Sequence, residues 1–260
     1  MKSLVIGPST GWLYAKGVNS LAEQKIVIEE VGARAVEFCL SSSLGPGDVR
    51  VASILCNKDL FFEDYRYKSL HLPDYNPNVN SGFQAKQAEN IAKLFALTMV
   101  IHPMKYGGEY PHRYFERFDP RNPARVGSRR RLAIENMDRN KFDGHLLSDL
   151  EALVQRHQLL FVLDVQHAFE HDCTMSYATD LLEIMRGRLV HLHVSGESES
   201  SNHCLLHRAK NASVIVEFLG KVFSTKRIVP IILEGEYKGP EDLRDEILFI
   251  KNELGLCDSQ

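Results

Sequence analysis

The sequence has no apolar stretch close to the ~18 residues that a membrane-spanning helix needs, so no membrane span is expected. MKSLVIGPST passes at once into a strand-like run, too short for the apolar core of a signal peptide. Cysteine supplies no framework. Cys39, Cys56, Cys173, Cys204 and Cys257 are odd in number and contain no C-x-x-C pair, which points to free thiols in a reducing, cytoplasmic compartment. The nucleotide and nucleophile signatures are missing too: the first turn reads GPSTGW rather than G-x-G-x-x-G, and there is no P-loop or G-x-S-x-G. A net charge of −3 argues against indiscriminate binding to nucleic acid. With no linker, low-complexity segment or long repeat, residues 1–260 read as one domain.

Eight apolar β-type runs alternate with helical patterns. The runs are LVIG, AVEFCL, YKSLHLP, TMVIHP, LAIENM, LFVLD, LVHLHV and VPIILE. They are continuous in Val, Ile and Leu rather than strictly alternating, as in a parallel sheet covered on both faces. Eight such units predict an α/β fold, a closed (β/α)₈ TIM barrel, and the length suits the ~250 residues common for one. Between the runs, Ser20 and Glu23 form a capping box whose helix would bury Leu21, Ile26, Ile28 and Val31. Ser81 and Gln84 form another, opening a helix to about residue 96. GHLLSDLEALVQRH, TMSYATDLLEIMR, ASVIVEFLGKVF and a segment starting at Pro240 supply later helices. Two long connections, Pro103–Arg131 and Gly196–Lys210, follow strands and so lie on the C-terminal face, where barrel chemistry sits.

The strand ends carry the functional signal. In a barrel alternate strand residues point inward, so the last inward residues meet around one centre. That set is Glu37, His71, His102, Glu135, Asp164, His193 and Glu234, with His167 just past the sixth strand. Converging imidazoles and carboxylates are ligand types for Zn²⁺, Mn²⁺ or a similar divalent ion. Without a cation the carboxylates would repel one another. His191 shares a face with His193 but lies one layer lower, and is read as a hydrogen-bonded core residue.

The order HLP, VIHP, IEN, LDVQHAF, HVSG, ILEG resembles the xylose-isomerase-like TIM barrels, and among them the endonuclease IV type of apurinic/apyrimidinic endonuclease. The resemblance runs from about residue 4 to 250. It implies that His71, His102 and Glu135 hold one ion, and that Glu135, Asp164, His193 and Glu234 hold a second, with Glu135 bridging. It places a third ion on His167 and on a D-x-H pair. Here that pair reads Ser201-Asn202-His203, so His203 is present and the carboxylate is not; two ions are expected.

The loop from Arg113 to Arg131 has two readings. Arg113 and Arg117, with Tyr106, could meet phosphate or stack on a sugar or base; alternatively the loop is solvated and anchored by its own aromatics, among them Tyr110, Tyr114 and Phe115. The leading expectation is a metal-dependent hydrolase of a phosphodiester or related bond, with Glu135 and Glu234 as catalytic groups and abasic DNA or a sugar phosphate as substrate. The alternative is a single-metal sugar or sugar-phosphate isomerase or epimerase, with the same two glutamates shuttling a proton. A non-catalytic relic barrel is the third.

Overall fold

A computed structural model describes residues 4–18, 21–39, 65–74, 90, 97–121, 131–224 and 229–256. Eight strands are present: β1 (Ile6–Pro8), β2 (Ala35–Cys39), β3 (Tyr67–His71), β4 (Thr98–Ile101), β5 (Arg131–Glu135), β6 (Leu160–Asp164), β7 (Leu189–Val194) and β8 (Ile231–Leu233). Every ladder is parallel, in the order β1-β8-β7-β6-β5-β4-β3-β2. The ring closes between β1 and β2. There Ser9 bridges to Glu37, Arg34 N–H donates to the Ile6 carbonyl at 2.8 Å, and Thr10 N–H donates to the Glu37 carbonyl at 2.8 Å. Gly7 permits this seam: a Cβ there would fall 1.7 Å from the Ala35 carbonyl oxygen. This is the TIM barrel that the eight apolar runs predict.

The core is layered by the period-two rule. Two small clusters, Val5–Ala35–Ile232 and Val100–Ala133–Val162, fill the barrel. Ala35, Val100, Ala133, Val162 and Ile232 each stand two residues before a polar residue, namely Glu37, His102, Glu135, Asp164 and Glu234. An apolar plug therefore underlies a polar upper layer. The outer core lies between strands and helices. The helix Ala212–Ser224 turns Ile215, Phe218, Leu219 and Val222 inward, at the i, i+3, i+4, i+7 spacing of one helical face. Burial of side chains of this size contributes roughly 1.5–3 kcal/mol each.

Several local expectations change. Ile26 points outward, 65% exposed, although Ile28 and Val31 are buried. A helix at Val165–His171 follows β6 directly, ahead of the expected helix at TMSYATDLLEIMR; Asp164 caps it by accepting the His167 N–H at 2.6 Å. The basic loop contains only the short helix His112–Glu116 among its described residues. Ser20, the Ser81–Gln84 box and Arg125, Arg129 and Arg130 lie outside the described residues. Among the described residues no helix is long and apolar enough to cross a membrane.

Candidate metal centre

Strand register delivers the polar layer to one point. Cys39 pairs with His71, and Asp164 with His193. Glu135 sits at the centre and divides its two oxygens. Its Oε1 lies 3.1 Å from His193 Nδ1, while its Oε2 lies 3.3 Å from His71 Nε2 and 3.8 Å from His102 Nε2. Glu234, just beyond β8, places Oε2 3.4 Å from the same His193 Nδ1.

Each imidazole is anchored by the nitrogen it turns away from Glu135. His71 Nδ1 donates to the Leu72 carbonyl at 2.9 Å. His102 Nδ1 meets Asp74 Oδ1 at 2.6 Å. His193 Nε2 faces Glu37 Oε1 at 3.1 Å. A carbonyl oxygen can only accept, so His71 Nδ1 carries a proton, and in the neutral ring that an ion would bind Nε2 is left bare toward Glu135. His167 differs: its Nδ1 donates to the Asn136 carbonyl at 2.9 Å, and the same nitrogen is 3.7 Å from Asp164 Oδ2.

Among the described residues three groups bring His, Asp or Glu donor atoms within 4.8 Å of one another. They are Glu135–Asp164–His193–Glu234, His71–His102–Glu135 and Glu37–His191–His193. The first two are the sets that the strand-end pattern and the resemblance pick out. The third was legible only in part, since Glu37 was in the inward set and His191 was read as core. His167 and His203 belong to no group, although their rings approach to 5.8 Å between centroids. Ser201, which stands where an Asp was expected, donates its hydroxyl to Glu236 Oε1 at 2.9 Å.

A divalent ion fits the first group. Asp164 Oδ2 and His193 Nδ1 are buried and have no hydrogen-bond partner. Leaving such atoms unsatisfied is costly, and hard oxygen and imidazole donors on three carboxylates and one histidine suit a divalent cation. The electrostatics agree. Burial pushes the Glu135 carboxyl up, but His193, His71 and His102 outweigh it and hold it well below the usual range. Burial raises Glu234, helped by the charges of Glu135 and Asp164. Burial lowers His193, yet Glu135, Glu234 and Glu37 lift it well above an ordinary imidazole. His71 and His167 are pushed up to about 9, against burial, by Glu135 with Glu37 in one case and by Asp164 with Glu135 in the other.

His71, His102, Glu135, His167, His203 and Glu234 line a pocket of about 300 Å³, completed by Cys39, Met137, Asp138 and Lys141. Asp164 and His193 lie beneath it, fully buried. Arg113, Arg117 and Tyr106 do not line this pocket. Arg113 lies in the helix His112–Glu116 and Arg117 caps its C-terminus; this helix packs on the helix Leu147–His157 outside the barrel. Tyr114 and Phe115 are buried and Tyr110 donates to Asp149 at 3.0 Å, so these aromatics anchor the loop. Cys39 was not picked out by sequence, although it continues the 35–37–39 alternation that delivers Glu37. Asp74 was missed as well; an acid three residues after a strand-end His is the signal that marks it.

No family model matches the chain and no curated protein matches it. Solved structures do. A D-tagatose 3-epimerase-like protein superposes with a TM-score of 0.67 at 16% identity, covering 97% of this chain and 98% of its own. D-allulose 3-epimerase from Methylomonas sp. gives 0.63 at 14% identity, covering 98% and 99%. A xylose isomerase domain-containing protein from Salmonella typhimurium gives 0.66 at 12% identity, covering 98% and 99%. At these identities the likeness establishes the fold alone: the chain shares a TIM barrel with these proteins over nearly its whole length.

Proposed function

We propose that the protein is a divalent-metal-dependent isomerase or epimerase acting on a small sugar or sugar phosphate. The observation that carries this reading is the buried Glu135–Asp164–His193–Glu234 group, with two orphaned donor atoms, at the floor of a pocket of about 300 Å³. That volume is at the lower end of small-molecule sites. The structures named above include two whose names carry sugar 3-epimerase activities, which supports the same substrate class.

A divalent ion held by these four residues would supply a Lewis acid for a carbonyl and its neighbouring hydroxyl. The protein's own groups would handle the proton. Glu135 and Glu234 reach the same imidazole nitrogen from β5 and β8, so both carboxylates border one reacting position. One removes the proton from the carbon beside the carbonyl, and the other returns a proton to that carbon or its neighbour. No co-reactant is needed. Lys141 at the pocket offers a cation for a substrate phosphate.

A second reading is hydrolysis of a phosphate ester, the leading expectation from the sequence. It is favoured by one observation, the His71–His102–Glu135 group, which would let Glu135 bridge two ions. The test pairs elemental analysis of protein loaded with Mn²⁺ or Zn²⁺ with assays on ketoses, their phosphates and abasic-site DNA. We expect about one tightly held ion per chain and interconversion of ketoses. Two or more tight ions, with phosphate-ester cleavage and no sugar interconversion, would overturn the proposal in favour of hydrolysis.

A further inference from the structure

We infer that Glu37 is a positioning residue: from beneath the site it holds the Nε2–H of His193, so that Nδ1 is presented bare to the ion. The inference rests on the metal reading of the site and is independent of which reaction the site performs.

The layer below the site is apolar on five strands, at Ala35, Val100, Ala133, Val162 and Ile232. On β3 and β7 the equivalent positions are Ser69 and His191, both fully buried. These two polar exceptions both address Glu37. Ser69 Oγ donates to Glu37 Oε2 at 2.8 Å, and His191 Nε2 lies 3.4 Å from the same oxygen. His193 Nε2 lies 3.1 Å from Glu37 Oε1, an ion-pair contact. Behind them, Tyr67 Oη and His191 Nδ1 are 2.6 Å apart.

His191 Nε2 and His193 Nε2 also lie 3.0 Å from each other, so both can carry a proton only where the Glu37 carboxylate takes one N–H on each oxygen. Tyr67 donates to His191 Nδ1, which puts the His191 proton on Nε2 and directs it at Glu37 Oε2. His193 Nε2–H then addresses Oε1. A carboxylate accepts at both arms, whereas a carboxamide would turn an NH₂ toward one of these N–H groups. In the ring that binds an ion, the remaining nitrogen, His193 Nδ1, is then bare, 3.1 Å from Glu135 Oε1. A carboxylate behind a ligating imidazole fixes its tautomer and ring orientation and raises its basicity. A buried anion on the barrel axis is otherwise heavily penalised, and an ion on the far side of His193 compensates it.

The test is titration of metal-free protein with Mn²⁺, comparing wild type with Glu37→Gln, alongside imidazole ¹⁵N spectra of the Zn²⁺-loaded forms. Glu37→Gln is expected to weaken Mn²⁺ binding about 10–100-fold. Its metal-free form should melt below wild type, because the buried His193 loses the carboxylate that faces it, and in the ion-loaded form His193 should lose its single Nε2–H tautomer. Ser69→Ala, which removes one hydrogen bond to Glu37, should weaken binding about fivefold, and it decides the matter if Glu37→Gln does not fold. Equal affinity in folded wild type and variants overturns the inference alone. So does loss of a complete equivalent of ion in Glu37→Gln, which would make Glu37 a ligand with His191 and His193. Wild-type protein that takes up no ion overturns the metal reading and this inference with it.

Discussion

Two histidine–carboxylate pairs stand at opposite depths of the same site. His193–Glu37 is sealed in the barrel, with both side chains fully buried. His102–Asp74 lies at the rim, with side chains 26% and 64% exposed. The chemical pair is the same and the surroundings differ, so the energetic roles differ. At the rim water screens the charges, and such a pair contributes only ~0–1 kcal/mol. In the interior an unpaired member would be costly, so the pair fixes geometry. The deep donor group should therefore bind an ion tightly and the rim group, His71–His102–Glu135, should exchange one readily.

The largest effect breaks both halves of this comparison at once. Glu135 places one oxygen in each group, so Glu135→Gln should abolish tight metal binding. It should also lower kcat on the order of 10²–10⁴-fold, the usual worth of a positioned acid–base group. A variant that keeps both its ions and its turnover would show that the two groups do not share Glu135.

An intermediate effect concerns protons. His71 and His167 are raised from 6.5 to about 9 in the metal-free protein. For a raised pKa, the stabilisation is complete below the unfolded value and is lost as pH climbs through the folded one. The melting temperature of metal-free protein should thus fall between about pH 6.5 and pH 9, by about 2–4 °C per kcal/mol for a chain of this size. Ion binding displaces such protons, so loading should flatten the profile. Calorimetry across that range checks it; a metal-free profile that rises with pH would contradict it. The smallest effect is at the rim. Asp74→Asn should leave the deep ion in place and weaken the exchangeable one by no more than about fivefold, the scale of an exposed pair. Competition with a colorimetric chelator would read both constants.

Much of the site was legible because strand-end residues obey a period of two. Once eight apolar runs were recognised, Glu135, Asp164, His193 and Glu234 had to converge, and they do. His191 could be placed one layer lower for the same reason. The loop residues obey no period, and there the reading was weaker. Arg113 and Tyr106 looked like substrate contacts by composition, but where a loop folds depends on what its aromatics pack against. Tyr114 and Phe115 pull that loop onto the outer face. The helix at Val165–His171 was missed because its cap, Asp164, was read only as a metal ligand. One carboxylate does both jobs: Oδ1 caps the helix and Oδ2 is left for the ion.

Asn136 has a consequence of its own. Its carboxamide donates to the Asp164 carbonyl at 2.9 Å and accepts the Asp164 N–H at 2.8 Å, copying a peptide group just past the end of β5. The sheet thus gains one more rung, built from a side chain, between the residue that follows Glu135 and the residue that ends β6. Asp at this position could only accept, Leu could do neither, and Gln is one methylene too long. The spacing between Glu135 and Asp164 is thereby inherited from the sheet rather than imposed by an ion. The ordering cost is met during folding, and an incoming cation finds a mould already set.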